Sequence, residues 1–327
     1  MAVVYWGMPR GLCSTNPSHR LHLYAPLEAR GAAVRVYAHQ FYRRDGTAGL
    51  WGGAPAPVER PSSNRARDAR LDAQELVARC LAPNASRNVV VEEQDTYFAA
   101  LNMSHYYGMS NRERITARGY TKYSKYRKRG EKGWSLKLLT VLLTTLARWS
   151  LPLLKTYLCA LESLRRAFGL LTTEVDAGSF VPTYVIFLRP DALLACELPV
   201  TTILHLQRNE VLVPNHRWFE GINDQMAAAP LAAARHWALR GAELLSYPQF
   251  RDDRRIVAEK TVVWAFQTHG LKARPAVVPY YMLRPRRGCD LRSCVVLDGG
   301  AYKGPFKSDT GSGLPAGQTL VARFAEG

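Results

Sequence analysis

Short apolar runs recur along the chain, separated by stretches in which apolar residues return every three or four positions, the pattern of buried strands alternating with amphipathic helices. The clearest run is Tyr184-Val-Ile-Phe-Leu188. It has no polar alternation, as suits a strand covered on both faces of a parallel sheet. Pro190 cannot donate to a ladder and biases Arg189 towards extended backbone, so the strand stops there and delivers Arg189 and Asp191 to one edge of the sheet. Upstream, Ala2-Val-Val-Tyr-Trp6 predicts a first strand. Residues 14–27 predict a helix, capped by Asn16 or Ser18 and carrying Leu21, Leu23, Tyr24 and Leu27. Val34-Arg-Val-Tyr-Ala38 predicts a second strand that ends at His39. A βαβ unit therefore opens the chain, with parallel strands and a right-handed crossover. Residues 46–63 are rich in Gly and Pro and read as loop, 66–81 have helical composition, and 88–92 give a third strand.

The second half repeats the alternation. Residues 153–171 form an amphipathic helix with Leu154, Tyr157, Leu158, Leu161, Leu164, Phe168 and Leu171 near a 3.6-residue period, and with Arg165 and Arg166 on the outer face. After Asp191 come a strand at 211–214, a polar loop at 215–224, helices at 231–245 and 256–269, Gly270 as a C-cap, and a last strand at 277–282. In open α/β sheets ligands bind outside the carboxyl ends of the strands, so Arg189 and Asp191 stand where a site belongs; the competing reading is an Arg–Asp pair that tidies a strand end. The chain divides into residues 1–108, an insertion at 109–152 that is first basic and then apolar, a second half at 153–285, and a low-order tail at 286–327.

With 327 residues, 47% of them hydrophobic, the chain can bury a full core, which excludes a disordered protein. Its 44 Lys and Arg against 27 Asp and Glu give +17, which favours polyanions or phosphate-bearing ligands. Much of that excess lies in residues 111–137, from Arg112 to Lys137, where Tyr residues interleave the cations. No recognised RNA- or DNA-binding module accompanies it, so nucleic acid is not an expected partner; contact with an anionic membrane surface is compatible with the basic and Leu-rich insertion. Cys13, Cys80, Cys159, Cys196, Cys289 and Cys294 are scattered without paired CxxC motifs, the usage of free thiols in a reducing compartment. The first strand leaves no room for a secretory signal, which places the chain in the cytoplasm as it stands; an N-terminal anchor upstream would place it in the secretory pathway or Golgi, where the sequons at Asn84 and Asn102 would matter.

Several separated segments resemble one family: Tyr5-Trp-Gly-Met-Pro-Arg10, Val36-Tyr-Ala-His39, the helix from Leu154 to Leu164, Ile186-Phe-Leu-Arg-Pro-Asp191, Val213-Pro-Asn215 and Gly221-Ile-Asn-Asp-Gln225. In order and spacing, across roughly residues 2–108 and 153–285, they are similar to a glycosyltransferase-like family of unknown-function proteins, and more distantly to WavE-type lipopolysaccharide-synthesis proteins. The resemblance implies a GT-A-like α/β domain with a central, mostly parallel sheet flanked by helices. It also implies transfer of a sugar from a nucleotide-diphospho-sugar donor to a hydroxyl on a glycan, glycolipid or protein.

Such an enzyme must neutralise a departing nucleoside diphosphate, with a divalent cation or with Arg and Lys. On this resemblance Asp191 is the candidate ligand of Mn²⁺ or Mg²⁺, although Arg189-Pro190-Asp191 offers one carboxylate where such enzymes usually present Asp-x-Asp. Arg189 can meet phosphate directly, because a guanidinium matches it bidentately. Gly7, Arg10 and His39 are candidates for the nucleotide and diphosphate. Asp224 is the candidate for the donor sugar or for the base on the acceptor hydroxyl; a helix cap is its competing role. Asn215, Trp218, Asn223 and Glu259 are candidates for substrate binding, Asn215 and Trp218 on the acceptor side and Glu259 as a reserve for the role of Asp224. The alternative function is an inactive transferase-like module that binds polyanions through its basic insertion.

Overall fold

The computed structural model describes residues 1–8, 12–42, 80–81, 86–101, 136–216, 221–246, 258–285 and 295–297. Strand β1 (Ala2–Gly7) is followed by α1 (Leu12–His19), a π-helical turn (Arg20–Tyr24) and α2 (Ala25–Glu28), which lead to β2 (Arg35–Tyr42). Next come β3 (Ser86–Glu93), α3 (Gln94–Ala100) and the long α4 (Leu136–Asp176). After β4 (Tyr184–Leu188) and β5 (Ala192–Leu194) follow α5 (Val200–Leu204), β6 (Glu210–Pro214), β7 (Met226–Pro230) and α6 (Leu231–Leu239). The described chain closes with α7 (Ala258–Thr268), β8 (Lys272–Ala276), β9 (Tyr280–Pro285) and β10 (Val295–Leu297).

Seven strands form the central sheet in the order β3-β2-β1-β4-β7-β6-β8. All neighbours run parallel except at β7, which is antiparallel to both β4 and β6. This is the α/β class with a mostly parallel sheet. Both faces are covered. Along β1, Val3 and Tyr5 pack with Leu12, Leu23 and Leu27 on one face; Ala2, Val4 and Trp6 pack with Leu164, Phe168 and Trp237 on the other. The unbroken apolar run of β4 has the same cause: Val185 and Phe187 face one helical layer, Ile186 and Leu188 the other. A small second sheet pairs β5 with β9 and β9 with β10.

Several sequence expectations need correction. Strand β2 runs on to Tyr42, so His39 lies inside it. The helix read over 153–171 spans Leu136–Asp176, and the one read over 231–245 ends at Leu239, followed by a turn and a short 3-10 helix. Strands β5, β7, β8 and β10 add to those expected, β10 within the segment read as a low-order tail, and the strand read at 277–282 is β9, Tyr280–Pro285. Cys13 and Cys80 are not free thiols: they form a disulfide with Cα atoms 4.8 Å apart. The segments carrying them precede β2 and β3, and successive right-handed crossovers bring such segments onto one face of a parallel sheet. Cys159 and Cys196 remain free thiols, the former buried. Among the described residues, no helix is long and apolar enough to cross a membrane.

Candidate active site

The strand order reverses at β1: β2 and β3 extend the sheet to one side and β4 to the other. Parallel strands that diverge in this way leave a crevice at their carboxyl ends, and here those ends carry Trp6, Gly7 and the Arg189-Pro190-Asp191 corner. Because β7 is antiparallel, it starts at that same rim, with Met226 opposite Leu188. The preceding Gly221–Gln225 loop is thereby delivered beside the corner. Strand β6 also ends there, placing Asn215 and His216 on the rim.

Arg189 grips Asp191 with two parallel hydrogen bonds, from Nε to Oδ1 at 2.9 Å and from Nη2 to Oδ2 at 2.8 Å. Asp191 is 1% exposed, whereas the Arg189 side chain keeps 22% exposure, so Arg189 is the more accessible half of the pair. Its Cζ lies 5.7 Å from the Trp6 ring centroid. Burial by itself would lower the Arg189 pKa; the carboxylate of Asp191, with weaker contributions from Asp224 and Tyr280, outweighs burial and raises it above its ordinary value. Asp191 and Asp224 thus act on one guanidinium.

The loop carrying Asp224 is tightly built. A side chain at Gly221 would place its Cβ 2.3 Å from the Glu259 carbonyl oxygen, and only glycine permits that approach. Ile222 N–H donates to the same carbonyl at 3.2 Å. Asn223 is 1% exposed and fully engaged: Nδ2 donates to the His216 carbonyl and to the Tyr280 hydroxyl, both at 2.9 Å, and Oδ1 accepts from Gln225 N–H at 2.9 Å. Tyr280 Oη in turn donates to Gln225 Oε1 at 2.9 Å, and its ring lies 4.8 Å from that of His216. Asp224 is left half-buried at the tip. Its charge also reaches Tyr157, whose hydroxyl is pushed up to about 12, by burial first, with Arg240 lowering and Asp224 raising the value. Arg240 is itself buried, 4.5 Å from the Trp237 ring centroid, and donates from Nη1 to the Trp237 carbonyl at 2.6 Å.

The rim brings together Arg189, Asp191, Asn223 and Asp224, and holds Asn215 with its side chain exposed. Asn223 and Glu259 are framework here, one through its buried amide and the other through its carbonyl. Gly7 closes β1 at φ 106°, a conformation that favours glycine, and its N–H donates to Ser163 Oγ at 2.7 Å. His39 lies beneath α4: it is 1% exposed, Nδ1 is 3.1 Å from Ser163 Oγ, and Glu92 lies 3.6 Å from Nε2. Burial drives its pKa down to about 4, partly offset by Glu92. His39 is therefore a neutral, buried group, opposite Trp6 in the β1–β2 register. Arg10 and Trp218 lie outside the described residues.

Both Asp191 oxygens are engaged by Arg189, and among the described residues no group of three or more His, Cys, Asp or Glu side chains is disposed to hold a metal ion. A cleft of about 340 Å³ lined by Thr201, His205, Glu210 and Arg274 opens near the amino end of β6, on the edge opposite the crevice, and shares no residue with it. Sequence reasoning missed Trp6, Tyr157, Arg240 and Tyr280 as site residues. Trp6 and Tyr157 lie in the quoted segments and read as core; Arg240 and Tyr280 gave no local signal.

No protein-family model matches the sequence, and the curated proteins contain no significant match. Among solved structures, the chain is similar to mouse xyloside xylosyltransferase 1 in its apo form, at 9% identity and a TM-score of 0.33, over 84% of this chain and 84% of that one.

Proposed function

We propose that this chain is a glycosyltransferase that takes its sugar from a nucleotide-diphospho-sugar. The observation that carries the reading is the convergence of Arg189, Asp191 and Asp224 at the switch between β1 and β4, where an α/β sheet binds its ligand. In this reading the diphosphate lies against the exposed side of the Arg189 guanidinium, which stays charged at every working pH. Asp191 orients that guanidinium from behind and keeps its fork aimed at the rim. As the glycosidic bond to phosphate breaks, negative charge grows on the leaving diphosphate, and a fixed cation in a partly dehydrated crevice stabilises that growth more than it stabilises the bound donor.

In the same reading Asp224, whose charge acts on the Arg189 guanidinium, serves the sugar end. Its carboxylate takes the proton of the acceptor hydroxyl, on a glycan or glycolipid, as that oxygen attacks the anomeric carbon. The Gly221 and Asn223 contacts hold it at a fixed distance from the cation. The test is calorimetry and turnover across a panel of nucleotide-diphospho-sugars, with and without Mn²⁺. The wild type is expected to bind at least one donor; Arg189→Met is expected to weaken that binding. Asp224→Asn is expected to lower turnover by about 100-fold or more with donor affinity little changed. A correctly folded chain that binds no nucleotide sugar and hydrolyses none refutes the reading.

A further inference from the structure

Helix α1 lies on the face of the sheet opposite to Arg189's tryptophan contact, and none of its residues belongs to the site described above. Three of its side chains nevertheless reach backbone at the corner or in the strand β5 that leaves it: Thr15 meets the corner, and Ser18 and His19 meet β5. Thr15 Oγ1 donates to the Pro190 carbonyl at 2.6 Å, with the Leu12 carbonyl a longer alternative at 3.1 Å. His19 Nε2 lies 2.6 Å from the Ala192 carbonyl. Ser18 Oγ accepts from Leu194 N–H at 3.2 Å and donates to the Thr15 carbonyl at 2.7 Å. All three side chains are buried, at 0 to 1% exposure.

The proton positions follow from the partners. A carbonyl only accepts, so His19 Nε2 carries the hydrogen. Burial drives the His19 pKa down to about 4, so the ring is neutral and Nδ1 is an acceptor. Nδ1 therefore receives the Tyr5 hydroxyl proton at 3.1 Å, and Tyr5 Oη receives that of Tyr24 at 3.0 Å. One directed chain runs Tyr24, Tyr5, His19, Ala192. Its links come from the π-helical turn, β1, α1 and β5. The start of α1 is further tied by the Cys13–Cys80 disulfide.

A corner that must present a guanidinium at a fixed angle gains little from the strand before it, because Pro190 donates no hydrogen bond to a ladder. One backbone bond closes the turn, from Ala192 N–H to the Arg189 carbonyl at 3.1 Å, and the Pro190 carbonyl is held by a side chain, Thr15. We propose that Thr15, Ser18 and His19 form a clamp that positions the Arg189–Asp191 pair for its anionic ligand, with Thr15 the principal contact. These are positioning residues: Thr15 touches the backbone of the corner, and Ser18 and His19 anchor the strand β5 that follows it. The assignment of the ligand as a nucleotide-diphospho-sugar rests on the function proposed above; the clamp itself does not.

Two variants separate the hydroxyl from the volume of the side chain. Thr15→Val keeps the shape and removes the bond to Pro190; Thr15→Ser keeps the bond. Hydrogen exchange is read on the amides of Arg189 and of residues 191–194, and affinity is read by calorimetry with UDP as the probe. Thr15→Val is expected to speed exchange in that segment and to weaken UDP about tenfold, while Thr15→Ser restores both to near wild type. Unchanged exchange in Thr15→Val overturns the clamp. So does faster exchange with UDP affinity intact, because the corner's order would then not matter to the ligand. If the wild type binds no UDP and no nucleotide sugar, the transferase reading fails separately, and exchange alone decides whether the clamp exists.

Discussion

Acid should unfold this protein through histidines well before it neutralises most carboxylates. His19 and His39 are each 1% exposed, and burial holds both near a pKa of about 4, against 6.5 for the free side chain. Below pH 6.5 the unfolded chain takes up protons that the folded chain refuses. Stability is therefore full above 6.5, falls as pH drops towards 4, and stops falling on this account below 4. For one such group the loss is about 2 kcal/mol at pH 5 and about 3 kcal/mol at pH 4. His22 and His236, also lowered by burial, add in the same direction. Two groups together cost about 4 kcal/mol at pH 5, a large share of the 5–15 kcal/mol typical of a folded protein. Urea denaturation followed by circular dichroism at pH 7.5 and at pH 5 measures the fall. His19→Gln keeps an N–H for Ala192 and cannot titrate. It is expected to be less stable than wild type at pH 7.5, yet to lose about 2 kcal/mol less than wild type between the two pH values. If both chains lose the same amount, His19 is not held neutral in the folded protein and the reasoning fails.

Asp191→Asn leaves the Arg189 guanidinium without its nearest counter-charge in a largely buried setting, and is expected to cost about 3 kcal/mol in urea titrations; Arg189→Met combined with Asp191→Leu should recover most of it. Reducing or mutating the Cys13–Cys80 bridge, which closes a sequence separation of 67, should destabilise the fold by about 4 kcal/mol in the chain-entropy account. Thiol counting by mass spectrometry under denaturing, non-reducing conditions checks the bridge itself, and two additional reactive thiols at positions 13 and 80 would contradict it. Gly221→Ala forces a Cβ into the Glu259 carbonyl, so the loop must shift; turnover should fall by more than donor affinity, measured side by side, because Asp224 moves with the loop.

The fold and one half of the site are legible in the sequence. Strands β1 and β4 announce themselves because a strand buried on both faces has no position left for a polar residue, and Pro190 marks where β4 stops. The strands that were missed obey no local rule. Met226-Ala-Ala-Ala-Pro230 is alanine-rich and helix-favouring by intrinsic preference; it is extended because it lies hydrogen-bonded between β4 and β6, with Met226 to Ala229 wholly buried. Lys272-Ala-Arg-Pro-Ala276 contains a proline, which a strand tolerates at the edge of a sheet, and β8 is the edge. The scattered cysteines read as free thiols because crossover packing, and not spacing, brings Cys13 to Cys80.

The sequence by itself determined that the chain is an α/β protein and that Arg189 and Asp191 cap one of its central strands. Tertiary structure decided what stands around them. Asp224 meets Arg189 because β7 runs backwards between β4 and β6; had it run parallel, the Gly221–Gln225 loop would have started from the opposite rim. Thr15, Ser18 and His19 look like ordinary helix residues until α1 packs behind the corner. Apolar periodicity reports only whether a side chain faces the interior, whereas the direction of a strand, and hence which loops share a rim, is set by long-range pairing that no window of the sequence contains.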